Sequence, residues 1–154
     1  MGGRYFFTQK EQKPMTLIDR LKQNEGTKRG KSGLHIPYHD SENLLTIGYG
    51  ILIDPETGGL YDEEADFLLQ NRIKLSLNQA QQFPWFSNLN QVRQEVIVEM
   101  AYNLGYPRFN GFKKMIAALE QGDFNEAANQ GLDSKWAGQV KGRATRLMDM
   151  LRKG

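Results

Sequence analysis

Between Asp62 and Gln82 the sequence contains neither glycine nor proline. The stretch carries Phe67, Leu68, Ile73, Leu75 and Leu77 among polar residues, and it opens with Asp62, Glu63 and Glu64. Acidic side chains in a first turn complement the positive end of a helix dipole. The pattern therefore predicts one long helix, with Pro84 marking its exit. The following QVRQEVIVEMAYNL is apolar nearly all round at its middle. That predicts a helix buried at the centre of a helical lobe and closed by Gly105. Helical stretches are further expected over Phe109 to Glu120, Asp123 to about Gln130 and Arg143 to Arg152. The last places Ala144, Leu147, Met148 and Leu151 on one face.

The preceding residues read differently. TLIDRLKQNEG predicts a short helix, with Thr16 as N-cap, Leu17, Ile18 and Leu21 at helical spacing, and Gly26 as its stop, so Glu25 is the last helical residue. GTKRGKSG has three glycines and three cations and no apolar residue, which predicts a solvated loop. LHIPYHD and LLTIGYGILID read as two strands joined by a turn, PETGG reverses the chain, and Leu60 and Tyr61 read as a short third strand. The expected fold class is α+β. Residues 15–60 form a small hairpin-sheet lobe, and residues 61–154 supply an inter-lobe helix and a larger helical lobe. Residues 1–14 are polar, end in Pro14 and read as an extension or linker.

Composition excludes several chemistries. The 154 residues include no cysteine, so neither disulfides nor a thiol nucleophile is available, and with only His35 and His39 a histidine-rich metal site is not expected. Both histidines alternate with apolar neighbours and read as solvent-facing. No stretch approaches the roughly 20 apolar residues of a membrane span, and the N-terminus lacks the apolar run of a signal peptide. A net charge of +2 gives only a mild cationic bias, which suits an anionic polymer but is no nucleic-acid signature. The aromatic knot of Phe83, Trp85 and Phe86, and Trp136 further on, read chiefly as core.

Three residues form a candidate constellation. Glu25 sits at a helix C-terminus, where a cation would be more stabilising than a carboxylate. Asp40 sits where a strand enters a turn, a position that an Asp most often occupies to satisfy local backbone groups. In LTIGYG, alternation puts Leu45, Ile47 and Tyr49 on one face and Thr46, Gly48 and Gly50 on the other. Glycines beside a hydroxyl suggest close approach of a ligand or of backbone, though a bulge or strong twist accounts for them equally well. Two carboxyl groups on opposite sides of a sugar are what glycoside hydrolysis requires.

Glu25-Gly26, Tyr38-His39-Asp40 and Thr46-Ile47-Gly48-Tyr49-Gly50 together resemble the Glu, Asp, Thr active-site pattern of the phage T4-type lysozyme family. LYDEEADFLLQNRI, MAYNLG, FNGF, FNEAANQGLDSKW and GRATR resemble that family's long helix and C-terminal lobe in order, so the likeness runs from residue 15 to about residue 148. The resemblance implies a cleft between the lobes and hydrolysis of the β-1,4 bond between N-acetylmuramic acid and N-acetylglucosamine in peptidoglycan. It implies Glu25 as general acid, Asp40 as second carboxylate and Thr46 as a residue that holds the water. Gly48, Gly50 and Arg143 are implied as supporting residues, and Leu52, Tyr102, Asn103 and Gln130 as substrate-binding residues. It further implies no cofactor and no metal, a monomer, no nucleic-acid partner, no stable membrane association, and release from the host cytoplasm or carriage on a virion.

The loop between Glu25 and Asp40 is several residues longer than is usual in that family, and it brings Lys28, Arg29 and Lys31 with it. Two other classes of function compete with the enzyme: a non-catalytic peptidoglycan-binding or virion structural module with the same fold, and nucleic-acid binding through the basic last helix. Asp149 within that helix and the small net charge weigh against the latter.

Overall fold

A computed structural model describes residues 15–154; the expected extension at residues 1–14 lies outside the described residues. The fold is α+β, with helices α1 to α8 and one small antiparallel sheet. The chain divides into two compact units between Tyr61 and Asp62.

In the first unit, α1 spans Leu17–Glu25. Its start is fixed by a capping box: Asp19 N–H donates to Thr16 Oγ1 at 3.1 Å, and Thr16 N–H donates back to Asp19 Oδ2 at 3.0 Å. Gly26, at φ 63°, ends the helix. The sheet has the order β1-β2-β3, with β1 at Tyr38–His39, β2 at Leu45–Ile47 and β3 at Ile51–Leu52. Its register pairs Tyr38 with Thr46 and His39 with Leu45, then Thr46 with Leu52 and Ile47 with Ile51. Thr46, in the central strand, is the only buried residue of this unit among the described residues.

Two expectations are corrected here. LLTIGYGILID is two strands, because Gly48, Tyr49 and Gly50 form a turn between them. Both glycines lie at positive φ, 63° and 79°, a region that L side chains enter at a cost. They therefore serve the turn and do not lie on a strand face. Leu60 and Tyr61 lie in no strand; the third strand is Ile51–Leu52.

The second unit opens with α2, Asp62–Ala80, followed by a 3-10 turn at Phe86–Asn88 and α3 at Gln91–Leu104. Asn90 caps α3 by accepting from Arg93 N–H at 3.0 Å, and Gly105 closes it at φ 76°. Val96, Ile97, Met100 and Ala101 are buried, as the apolar middle of this segment predicts. Phe109 to Glu120 is not one helix. It splits into α4, Tyr106–Phe109, and α5, Lys113–Glu120. The Asn110-Gly111 turn turns Phe109 and Phe112 towards each other, with ring centroids 6.4 Å apart.

Asp123 caps α6, Phe124–Leu132, and Ser134 caps α7, Lys135–Val140. Helix α7 was not expected; it is short and buries only Trp136. The last helix, α8, spans Gly142–Lys153 and buries Ala144, Leu147, Met148 and Leu151, the four residues of the predicted face. It packs on α6, where Gly131 admits Met148: a Cβ at Gly131 would collide with the Met148 sulfur. Phe83 stacks on Trp85 at 5.0 Å, and Trp85, Phe86 and Trp136 are core residues, as expected. Among the described residues no helix is long and apolar enough to cross a membrane.

Candidate active site

Glu25 is the last residue of α1, and its side chain reaches the turn between β2 and β3. A Cβ built on Gly50 would lie 2.9 Å from Glu25 Oε2 and 3.4 Å from its Cδ, so the carboxylate rests on the bare backbone of Gly50. Among the described residues no hydrogen bond or ion pair holds that carboxylate. It is exposed and able to meet a ligand.

Asp40 follows β1. Its Oδ1 accepts from the N–H groups of Glu42 and Leu44, each at 2.9 Å, which closes the β1–β2 turn. This local bonding is what an Asp at a turn entrance does. The second oxygen, Oδ2, makes no hydrogen bond among the described residues. Thr46 lies in β2, 3% exposed, and its hydroxyl donates to the Leu44 carbonyl at 3.2 Å. The donor is used, while the oxygen's lone pairs remain available to accept. Leu52 pairs with Thr46 across β3, and its carbonyl accepts from Gly59 N–H at 3.1 Å. The first unit thus holds Glu25 at a helix end against Gly50, Thr46 and Leu52 in paired strands, and Asp40 and Gly48 in the turns beside them.

The remaining candidates lie in the second unit, where Tyr102, Arg143 and Gln130 line two cavities. Tyr102, on α3, is exposed and lines an apolar cavity of about 550 Å³ with Leu69, Ile73, Val98 and Arg143. Arg143 is committed to Glu99 there: its Nε donates to Glu99 Oε1 at 3.0 Å and its Nη2 lies 2.9 Å from the same oxygen. Gln130 lines a second cavity of about 500 Å³ with Phe112, Met115, Ser134 and Trp136, and its amide donates to Glu126 Oε1 at 2.7 Å. Asn103 accepts from the Trp136 indole N–H at 2.8 Å, which satisfies the polar atom of the buried ring.

Sequence reasoning missed His35. It is half-buried, not solvent-facing, and shares a 2.6 Å hydrogen bond with Thr27 through Nδ1. Its ring also meets Tyr49 edge-on at 5.1 Å. His39 is exposed, as expected. In the basic last helix, Arg152 pairs with Asp149 at 3.1 Å and donates to Asn129 Oδ1 at 2.9 Å.

Curated proteins similar to this chain include the following two. One is the pre-baseplate central spike protein Gp5 of Enterobacteria phage T4, 28% identical over 163 residues. That alignment covers 86% of this chain but 27% of the spike protein, so the chain spans about a quarter of that relative's length. The other is the probable T4-type lysozyme 1 of Dictyostelium discoideum, 23% identical, with 90% of this chain and 95% of the relative covered. Residues 22–151 match the family described as Phage lysozyme, and the chain belongs to that family.

Proposed function

We propose that this protein hydrolyses the β-1,4 bond between N-acetylmuramic acid and N-acetylglucosamine in bacterial peptidoglycan. The observation that carries the reading is an exposed Glu25 carboxylate, without a hydrogen bond among the described residues, against Gly50 in the turn after β2, the strand of Thr46, with Asp40 directly after the neighbouring β1. Membership of the phage lysozyme family supports it.

Glu25 is the general acid and gives its proton to the leaving glycosidic oxygen. Asp40 and Thr46 handle the water. Asp40 Oδ2 and the Thr46 oxygen are both acceptors, so one water donating a proton to each keeps a lone pair for the anomeric carbon. Attack from the face opposite the leaving group inverts configuration, which calls for carboxyl groups roughly 6.5–9.5 Å apart. Leu52, Tyr102, Asn103 and Gln130 bind the glycan and its substituents, and the protein acts as a monomer on the wall, either released in the host or carried on the virion.

Clearing of purified peptidoglycan by wild type and by Glu25→Gln tests the assignment, with circular dichroism to confirm that both are folded. The expected loss is roughly 10²- to 10⁴-fold. Equal clearing would place the acid elsewhere. A second reading, a non-catalytic virion module, is favoured by the name of the spike relative. It predicts that neither protein clears while both pellet with the wall.

A further inference from the structure

The chain leaving Glu25 does not run loosely to the sheet. It folds back on itself: Gly30 N–H donates to Leu34 O at 2.9 Å, Ile36 N–H to Lys28 O at 3.0 Å, and Arg29 and His35 form an antiparallel bridge. The tip is closed by Gly33 N–H donating to Gly30 O at 2.9 Å and by Arg29 Nη1 donating to Gly33 O at 2.7 Å. Composition alone predicts a solvated loop here, and the exposed cations agree with that. The backbone instead forms a small hairpin that returns His35 to Thr27, two residues beyond Glu25.

Three contacts join this hairpin, α1 and the turn on which Glu25 rests. Thr27 Oγ1 and His35 Nδ1 share the 2.6 Å hydrogen bond. The His35 ring stands edge-on to Tyr49 at 5.1 Å. Lys22, one turn before Glu25 on α1, places its Nζ 5.6 Å from the centroid of the same Tyr49 ring. Tyr49 lies between Gly48 and Gly50, and Gly50 is the surface on which Glu25 rests. Both the chain after Glu25 and the turn beneath it pass through glycines at positive φ, and no hydrogen bond among the described residues fixes the carboxylate itself. The restraint on the acid therefore comes from neighbours, and His35 is the residue that touches both sides.

We propose that the hairpin of residues 27–36 is a buttress for the general acid, with His35 as a positioning residue that ties the chain leaving α1 to the Tyr49 turn. The proposal rests on the reading of Glu25 as the acid. A misplacement of about 1 Å at a reacting group can cost roughly 100-fold in rate, so a restraint of this kind acts on turnover more than on binding.

The test measures kcat and KM on soluble peptidoglycan fragments for wild type, Glu25→Gln, Thr27→Val, His35→Ala, His35→Asn and the Thr27→Val/His35→Ala pair, with melting temperatures alongside. His35→Ala is expected to lower kcat roughly 10- to 100-fold with KM within about twofold. His35→Asn, whose carboxamide reaches the Nδ1 position, restores part of that loss. Thr27→Val falls in the same direction, and the double variant is no worse than His35→Ala, since both remove one bond. If Glu25→Gln is inactive while Thr27→Val and His35→Ala turn over like wild type, or change KM alone, the buttress is wrong and the acid assignment stands. If Glu25→Gln turns over like wild type, the acid assignment fails and takes the buttress with it.

Discussion

The carboxylate of Glu25 rests on the backbone of Gly50, and a single added carbon at Gly50 would stand 2.9 Å from Oε2. Gly50 also sits at φ 79°, where an L-residue costs about 1–2 kcal/mol. Gly50→Ala is therefore expected to lower the melting temperature slightly and turnover by roughly 10- to 100-fold, because the carboxylate must move aside. Wild-type turnover in this variant would show that the contact does not set the acid's position.

Asn103 and Trp136 form a pair with unequal exposure. Asn103→Leu leaves the buried indole N–H without an acceptor and should cost about 1–3 kcal/mol. Trp136→Phe keeps the edge-on contact with Phe112 at 6.4 Å and removes the donor, so adding Asn103→Leu to it should cost less than in wild type. Urea denaturation of the four proteins gives the coupling. Additive costs would mean that the 2.8 Å bond carries no stability.

Arg93 closes the end of α8. Its Nε donates to Leu151 O at 2.8 Å and its Nη2 to Arg152 O at 3.0 Å, and the guanidinium lies 3.7 Å from the Phe124 ring centroid. Charged donors suit the last carbonyls of a helix. Arg93→Met should destabilise by about 2 kcal/mol and raise hydrogen exchange in the final turn of α8. Arg93→Lys is not expected to rescue it, because an ammonium cannot serve two carbonyls and a ring in one plane. Full rescue by Lys would reduce the role to charge alone.

The Thr16 side-chain hydrogen bond, helped by the Thr16 backbone N–H, holds the Asp19 carboxyl below the usual carboxylate range. A lowered folded-state pKa means that the capping box contributes fully above the unfolded value of about 3.9 and is lost as pH falls through the lower folded value. Asp19→Asn should flatten the acid limb of the stability curve below about pH 4. An unchanged limb would show that α1 gains nothing from the ionised cap.

Local chemistry was legible in the sequence. Thr16 as a cap, Glu25 as a final helical residue, Gly105 as a stop and the buried face of α8 are all set by side chains and backbone a few residues apart. The turn at Gly48–Gly50 was not legible as a turn because alternation assumes an unbroken strand, whereas both glycines supply a positive φ and Gly50 also leaves room for the Glu25 carboxylate. The Arg29–His35 bridge had no signature, since main-chain pairing in a polar loop leaves no apolar period. Arg143 and Glu99, or Asn103 and Trp136, meet across the sequence through packing that no local pattern encodes. Asp40 takes the turn role expected of it: its Oδ1 accepts from the N–H groups of Glu42 and Leu44.

Thr46 is the sole buried residue described before Asp62, while the apolar core lies entirely beyond it. A segment with so little interior has small cooperative stability of its own and is expected to open in sub-global excursions well below the global transition. On the proposed function, heat should then abolish peptidoglycan clearing before it melts the helices. Inactivation measured at temperature would precede the loss of helical ellipticity, and a protease would nick the carboxylate-bearing part while leaving α3 to α8 intact.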